Sequence, residues 1–301
     1  MKKITVLICL LLLCAILAGC TSAPAAQIAA TTLPVYEFAV RLCQGTPLTV
    51  TRLVTEEVSC LHDYSLNVNQ VKAAESAEVI VISGAGLEEF LADILLNKET
   101  IDASSGIPLI EPEEHHHDHG EEALGEPEES HESHHHEHDP HIWLSPANAM
   151  IMAENICAGL TAQYPAHAHV FASNQENLLA DLNDLEVYGH ARLENLSCRE
   201  IITFHDGFAY LADAFHLTIL DAIEEESGSE ASAKELIHMI EEVEHHRLPA
   251  IFTEQSGSVS AAGIIARETG ATEFALDMAM SGNSYFDAMY HNINTLKEAL
   301  Q

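Results

Sequence analysis

Short runs of β-branched and apolar residues alternate along this chain with longer stretches whose apolar positions recur every three or four residues. The runs at 27–33, 48–54, 78–83 and 107–110 read as strands, as does a second set at 200–204, 217–222, 249–253 and 272–276. Helical spacing occupies 68–76 and 87–96 in the first half, and 231–246, 259–269 and 285–300 in the second. Strands separated by helix-length segments predict βα units and parallel sheets covered on both faces. Four strands in each set predict an α/β fold of two lobes, each a four-stranded parallel sheet flanked by helices.

The segment between the two sets is different. Residues 146–164 carry the pattern of an amphipathic helix. Residues 171–196 place Leu178, Leu179, Leu182, Leu185, Leu193 and Leu196 near helical spacing without a proline. A helix of this length spans nearly 40 Å at about 1.5 Å per residue. It predicts one rigid helix joining the lobes, so that they rock rather than swing. The expected organisation is an N-terminal lobe over 27–170, a linking helix over 171–196 and a C-terminal lobe over 197–301.

The N-terminus changes the picture of location. Met1-Lys2-Lys3 precedes an almost wholly apolar stretch over 4–17, too short for a stable bilayer span, which ends in small residues. Residues 1–19 read as an export signal. Leu17-Ala18-Gly19-Cys20 resembles the bacterial lipoprotein signal, which implies cleavage before Cys20, its lipidation, and a tether over 20–26. Two or more acyl chains anchor stably where one does not. No other stretch of about 18 apolar residues follows. The expected location is extracytoplasmic, on the cell surface or the periplasmic side, held to the membrane by lipid. Beyond Cys20 stand Cys43, Cys60, Cys157 and Cys198. An exported chain permits disulfides, Cys43 to Cys60 among them, and buried free thiols are an equal reading.

Of the 301 residues, 47% are apolar and 20% charged, which fits a chain with a real core. With 12 Lys+Arg against 47 Asp+Glu the net charge is −35, and loss of Lys2 and Lys3 with the signal takes it to −37. Such a surface repels phosphate and argues against nucleic acid, while it attracts cations. Residues 111–139 hold 12 acids, no Lys or Arg, and nine of the 20 histidines: His115, His116, His117, His119, His131, His134, His135, His136 and His138. With almost nothing apolar to bury, this acidic loop, centred on 113–138, reads as mobile and as a tract of weak metal sites. His131-Glu132-Ser133-His134-His135 matches H-E-x-x-H formally, but the metalloprotease motif needs an apolar-faced helix that is not written here.

Ligands of open parallel sheets bind beyond the carboxyl ends of the strands. Four candidates sit there. His62 follows the second strand in Cys60-Leu61-His62-Asp63-Tyr64. His141 lies in Asp139-Pro140-His141-Ile142-Trp143-Leu144, after the fourth strand and the histidine-rich loop. His205 ends Ile201-Ile202-Thr203-Phe204-His205, and Asp277 ends Phe274-Ala275-Leu276-Asp277. Two belong to each lobe, and all four are expected to face the cleft. Three imidazoles and one carboxylate make a donor set that Zn²⁺ accepts in tetrahedral geometry. Imidazole must be neutral to bind, so affinity is expected to fall as pH drops.

The chain resembles the metal-binding receptors of bacterial ABC importers for zinc and manganese. The matching pieces, in order, are His62-Asp63-Tyr64, Gly84-Ala85-Gly86-Leu87-Glu88, Asp139-Pro140-His141-Ile142-Trp143-Leu144-Ser145-Pro146, Phe204-His205-Asp206-Gly207-Phe208-Ala209-Tyr210-Leu211, Ile251-Phe252-Thr253-Glu254, and 285–300 with Met289, Asn292 and Leu296. The resemblance covers about residues 27–301. It implies two α/β lobes joined by one long helix around a single metal, with the family's ligands carried onto His62, His141, His205 and Asp277. Relatives with His at the third position favour zinc and those with Glu manganese, so His205 and the histidine-rich loop point to Zn²⁺, with Mn²⁺ the alternative. Many members carry a Pro/Gly-rich turn where this chain has 55–61, which puts Cys60 near the site, in reserve with Glu254 behind the ligands or as a thiolate ligand. The implied partners are a membrane permease and its ATPase, with the receptor a monomer and not an enzyme. An adhesin role, known among relatives, and a zinc hydrolase with Glu254 as base are the competing classes; the second needs an open coordination position.

Overall fold

The structure is a computed structural model that describes residues 26–56, 58, 61, 64–111, 138–224, 231–254 and 260–301. Cys20, Cys60, His62 and every histidine of the acidic loop except His138 lie outside the described residues.

Two four-stranded sheets form. The N-terminal one contains β1 (Ile28–Ala30), β2 (Val50–Arg52), β3 (Val79–Ile82) and β4 (Glu99–Asp102), in the order β2-β1-β3-β4. The C-terminal one contains β5 (Glu200–His205), β6 (Thr218–Glu224), β7 (Ala250–Glu254) and β8 (Thr272–Leu276), in the order β6-β5-β7-β8. All pairings are parallel. Each order reverses beside its first strand, and that is where the carboxyl ends open a crevice.

The helices are α1 (Leu33–Cys43), α2 (Val68–Ser76), α3 (Ala92–Leu95), α4 (Pro146–Gln163), α5 (Ala168–Leu193), α6 (Ala209–Ala214), α7 (Ala233–His246), α8 (Ser260–Thr269) and α9 (Tyr285–Leu300). Local chemistry starts several of them. Asn67 with Gln70, and Ser232 with Glu235, form capping boxes for α2 and α7. Ser145 caps α4, whose first residue is Pro146. Among the described residues no helix is long and apolar enough to cross a membrane.

Three expectations are corrected. The fourth strand is Glu99–Asp102, not 107–110. It is an edge strand whose only buried residue is Ile101, so it lacks the apolar run that signals a strand. The run at 107–110 contains Pro108, which has no N–H for a ladder, and Ile107 instead packs into the core as coil. Residues 87–96 are not one helix but a 3₁₀ turn, Glu89–Leu91, followed by α3. Finally, β1 stops at Ala30, and Pro34 in the first turn opens α1, a helix that the strand reading of 27–33 concealed.

Helix α5 runs between the lobes and packs on α1, α4 and α9. Its buried stripe is Phe171, Leu178, Leu182, Leu185, Gly189 and Leu193. Gly189 is there because a Cβ would stand 2.2 Å from Cε1 of Phe215. The lobes are joined by more than this strut, since one apolar core runs continuously from Ile28 to Leu300. Trp143 donates its indole N–H to the Met278 carbonyl at 2.7 Å, and the Tyr285 hydroxyl donates to the Trp143 carbonyl at 2.8 Å. Cys43 and Cys157 are buried free thiols, with burial pushing the Cys43 thiol up to about 12.

Candidate metal centre

His141 sits on a bend fixed from both sides. Pro140 precedes it, and the buried 3₁₀ turn Ile142–Leu144 follows. Asp139 Oδ1 accepts from the His141 amide at 2.9 Å and from its Nδ1–H at 2.7 Å. That leaves Nε2 as the ring nitrogen with a lone pair. Nε2 is buried and has no hydrogen-bond partner among the described residues. A desolvated basic nitrogen of this kind is costly unless something electrophilic meets it.

His205 is the last residue of β5 and is also buried, so the two imidazoles are 1% and 4% exposed. Their ring centroids are 5.5 Å apart with planes at 87°. Gly207 shows how tightly the group converges. A Cβ there would stand 2.8 Å from Met278 Cε, 2.9 Å from His205 Cδ2 and 3.1 Å from His141 Cε1. Residues from both lobes therefore crowd one point, and only a residue without a side chain passes between them.

Asp277 follows β8 directly. Asn292 on α9 pins it, accepting from its N–H and donating to its carbonyl, both at 2.7 Å. Asp277 Oδ1 accepts from the Ala279 amide at 2.7 Å. Glu254 ends β7, is buried, and pairs in register with Leu276, the residue before Asp277. The structure thus brings His141 and His205 together and sets Asp277 one residue from the Met278 contact. Among the described residues no group of three or more His, Cys, Asp or Glu is arranged to hold a metal ion. On either side of His62, which lies outside the described residues, Leu61 packs in the core and the Tyr64 hydroxyl donates to Glu56 at 2.7 Å.

The sequence matches the family described as zinc-uptake complex component A, periplasmic, over residues 28–299. The chain belongs to this family.

Among relatives, the zinc-binding lipoprotein AdcA of Streptococcus pneumoniae (strain R6) is 30% identical over 99% of this chain and 61% of its own length. The zinc-binding protein AdcA of Streptococcus pyogenes (serotype M3, strain MGAS315) is 26% identical over 90% of this chain and 55% of its own. The chain thus spans a little over half the length of these curated relatives. A crystal structure of ZnuA superposes with a TM-score of 0.75 at 26% identity, covering 91% of this chain and 99% of that one.

In this member of the family, two features of the site region escaped functional reading of the sequence. Asn292 was legible only as part of the resemblance, because nothing local says that a helical asparagine will reach a strand end 15 residues earlier. Glu88 was likewise a motif residue without a role. It is buried at the carboxyl ends of β1 and β3, where it accepts from Thr31 Oγ1 at 2.7 Å and from the amides of Ser83 at 2.7 Å and Gly84 at 3.0 Å. Burial lifts its carboxyl to about 7 against those hydrogen bonds. Gly84 has φ +84°, and a Cβ would meet Asp102 Oδ1 at 2.0 Å, so the turn that delivers those amides requires glycine.

Proposed function

We propose that this protein is an extracytoplasmic receptor that captures Zn²⁺ between its lobes and delivers it to an ABC-type importer, a permease with its ATPase. His62, His141, His205 and Asp277 are the ligands, with Glu254 behind them. The observation that carries the reading is the buried His141–His205 pair at the junction of the lobes, with His141 Nε2 left bare by the Asp139 hydrogen bond. Membership of the zinc-uptake family and similarity to zinc-binding lipoproteins support it. A shell filled by four protein side chains has no open position for activating water, so the protein binds zinc and does not hydrolyse. Cys20 carries the lipid that holds the receptor at the membrane, and the histidine-rich segment over 113–138 collects zinc weakly.

Metal analysis of untagged protein tests this. One tightly held zinc per chain is expected, lost in His141→Ala and in His205→Ala. Deleting 113–138 should keep the tight ion and reduce the weakly held ones. Manganese retained in preference to zinc would overturn the metal assignment, and a tight ion that survives both substitutions would overturn the site.

A further inference from the structure

Tyr210 lies on α6, five residues after His205, and is 2% exposed. Its hydroxyl is used twice, both times by the other lobe. It accepts from the amide of Ile110 at 3.0 Å and donates to the carbonyl of Asp139 at 3.1 Å. Ile110 and Asp139 are themselves joined, the Asp139 amide donating to the Ile110 carbonyl at 3.0 Å. These residues stand on either side of 111–138 in the chain, so one phenol oxygen of the C-terminal lobe holds Ile110 and Asp139 together. Asp139 then passes the constraint on, since its Oδ1 holds both the amide and Nδ1 of His141. Burial raises the Tyr210 hydroxyl above its ordinary value, so it remains a donor near neutral pH. Phenylalanine would fill the same volume, so packing alone does not account for the hydroxyl.

We infer that Asp139 and Tyr210 are positioning residues for metal capture. Asp139 fixes His141 with the proton on Nδ1 and the Nε2 lone pair toward the ion, and Tyr210 holds Asp139 in place from the opposite lobe. The inference rests on the reading of His141 as a zinc ligand. A carboxylate behind a ligating imidazole sets its tautomer and raises its basicity, and loss of such a partner costs about 10–100-fold in metal affinity. The second link is longer and neutral, so its effect is smaller. The arrangement also makes the position of Ile110 and the orientation of His141 depend on the same oxygen.

The test compares the full chain with Asp139→Ala, Asp139→Asn, Tyr210→Phe and His141→Ala. Zinc affinity is read by chelator competition, the His141 proton position by ¹⁵N NMR of the imidazole, and stability by thermal unfolding without metal. Asp139→Ala should bind zinc about 10–100-fold more weakly and show His141 as mixed tautomers. Asp139→Asn keeps an acceptor oxygen and should restore the Nδ1 proton and part of the affinity. Tyr210→Phe should weaken zinc by several-fold to about tenfold. If Asp139→Ala does not fold, Asp139→Asn and Tyr210→Phe carry the test. Affinities and tautomer unchanged, with only the melting temperature lowered, would make both residues purely structural and overturn the inference alone. Absence of tight zinc in the wild type, or tight zinc retained in His141→Ala, would overturn the functional reading and this inference with it.

Discussion

Asn292 and Asp277 are joined by two hydrogen bonds of 2.7 Å that run in opposite directions, amide N–H to side-chain oxygen and side-chain N–H to carbonyl. A wholly buried side chain on the last helix thereby replaces the strand neighbour that Asp277 has just left. Asn292→Ala removes both partners and leaves two main-chain groups unpaired, at about 1–3 kcal/mol each. Urea unfolding should show a loss of about 2–6 kcal/mol. Zinc binding should weaken with it, since the carboxylate loses its support. A variant as stable as the wild type would show that Asp277 does not depend on α9.

Gly207→Ala places a methyl against both imidazoles and Met278. Met278 ends in a flexible thioether and can yield. The two rings cannot yield without changing their mutual geometry. Zinc affinity is expected to fall by at least about tenfold, while the melting temperature moves little, because binding geometry tolerates displacements of only tenths of an ångström. Chelator competition decides it, and equal affinity would show that the rings have room to spare.

Gly189→Ala sets two effects against each other. In a helix interior alanine is favoured over glycine by about 1 kcal/mol. Here the added Cβ would lie 2.2 and 2.5 Å from ring carbons of the buried Phe215 and 3.2 Å from Ile293 Cδ1. Overpacking of this kind costs about 1–3 kcal/mol or more. Overpacking wins, so the variant should unfold at lower denaturant. A stabilised variant would mean that Phe215 repacks freely.

Glu88 makes stability depend on pH with a definite sign. Its folded carboxyl is raised from 4.5 to about 7, so the unfolded chain releases this proton first. The stabilising contribution is complete below 4.5 and is lost as pH rises through about 7. The loss amounts to about 3 kcal/mol for a shift of this size. Stability of wild type minus that of Glu88→Gln, from urea melts without metal, should therefore fall across this window. A difference that stays flat, or rises, would refute the assignment of the proton.

Much of the architecture was readable from periodicity. The helices at 68–76 and 285–300 are found at those limits, and the long helix lies three residues from its expected place. What misled was local ambiguity. Thr31-Thr32-Leu33 continues a strand-like run, and only Pro34 marks a helix start. The edge strand Glu99–Asp102 is too polar to announce itself, since just one of its faces meets the core at a single residue.

Spacing along the chain, and the chemistry of each residue type, were enough to specify two parallel sheets, the helix between them, and His205 at the end of a strand, because a period of two or of 3.6 is a property of neighbours in sequence. Tertiary structure alone decided which groups meet. That Gly207 sits against His141 and Met278, that Asn292 holds Asp277, and that the Tyr210 phenol bonds the Asp139 carbonyl are contacts between residues 15 to 71 positions apart. No local pattern encodes such contacts; they arise when separate elements are packed to the density of a solid and every buried donor and acceptor must find a partner.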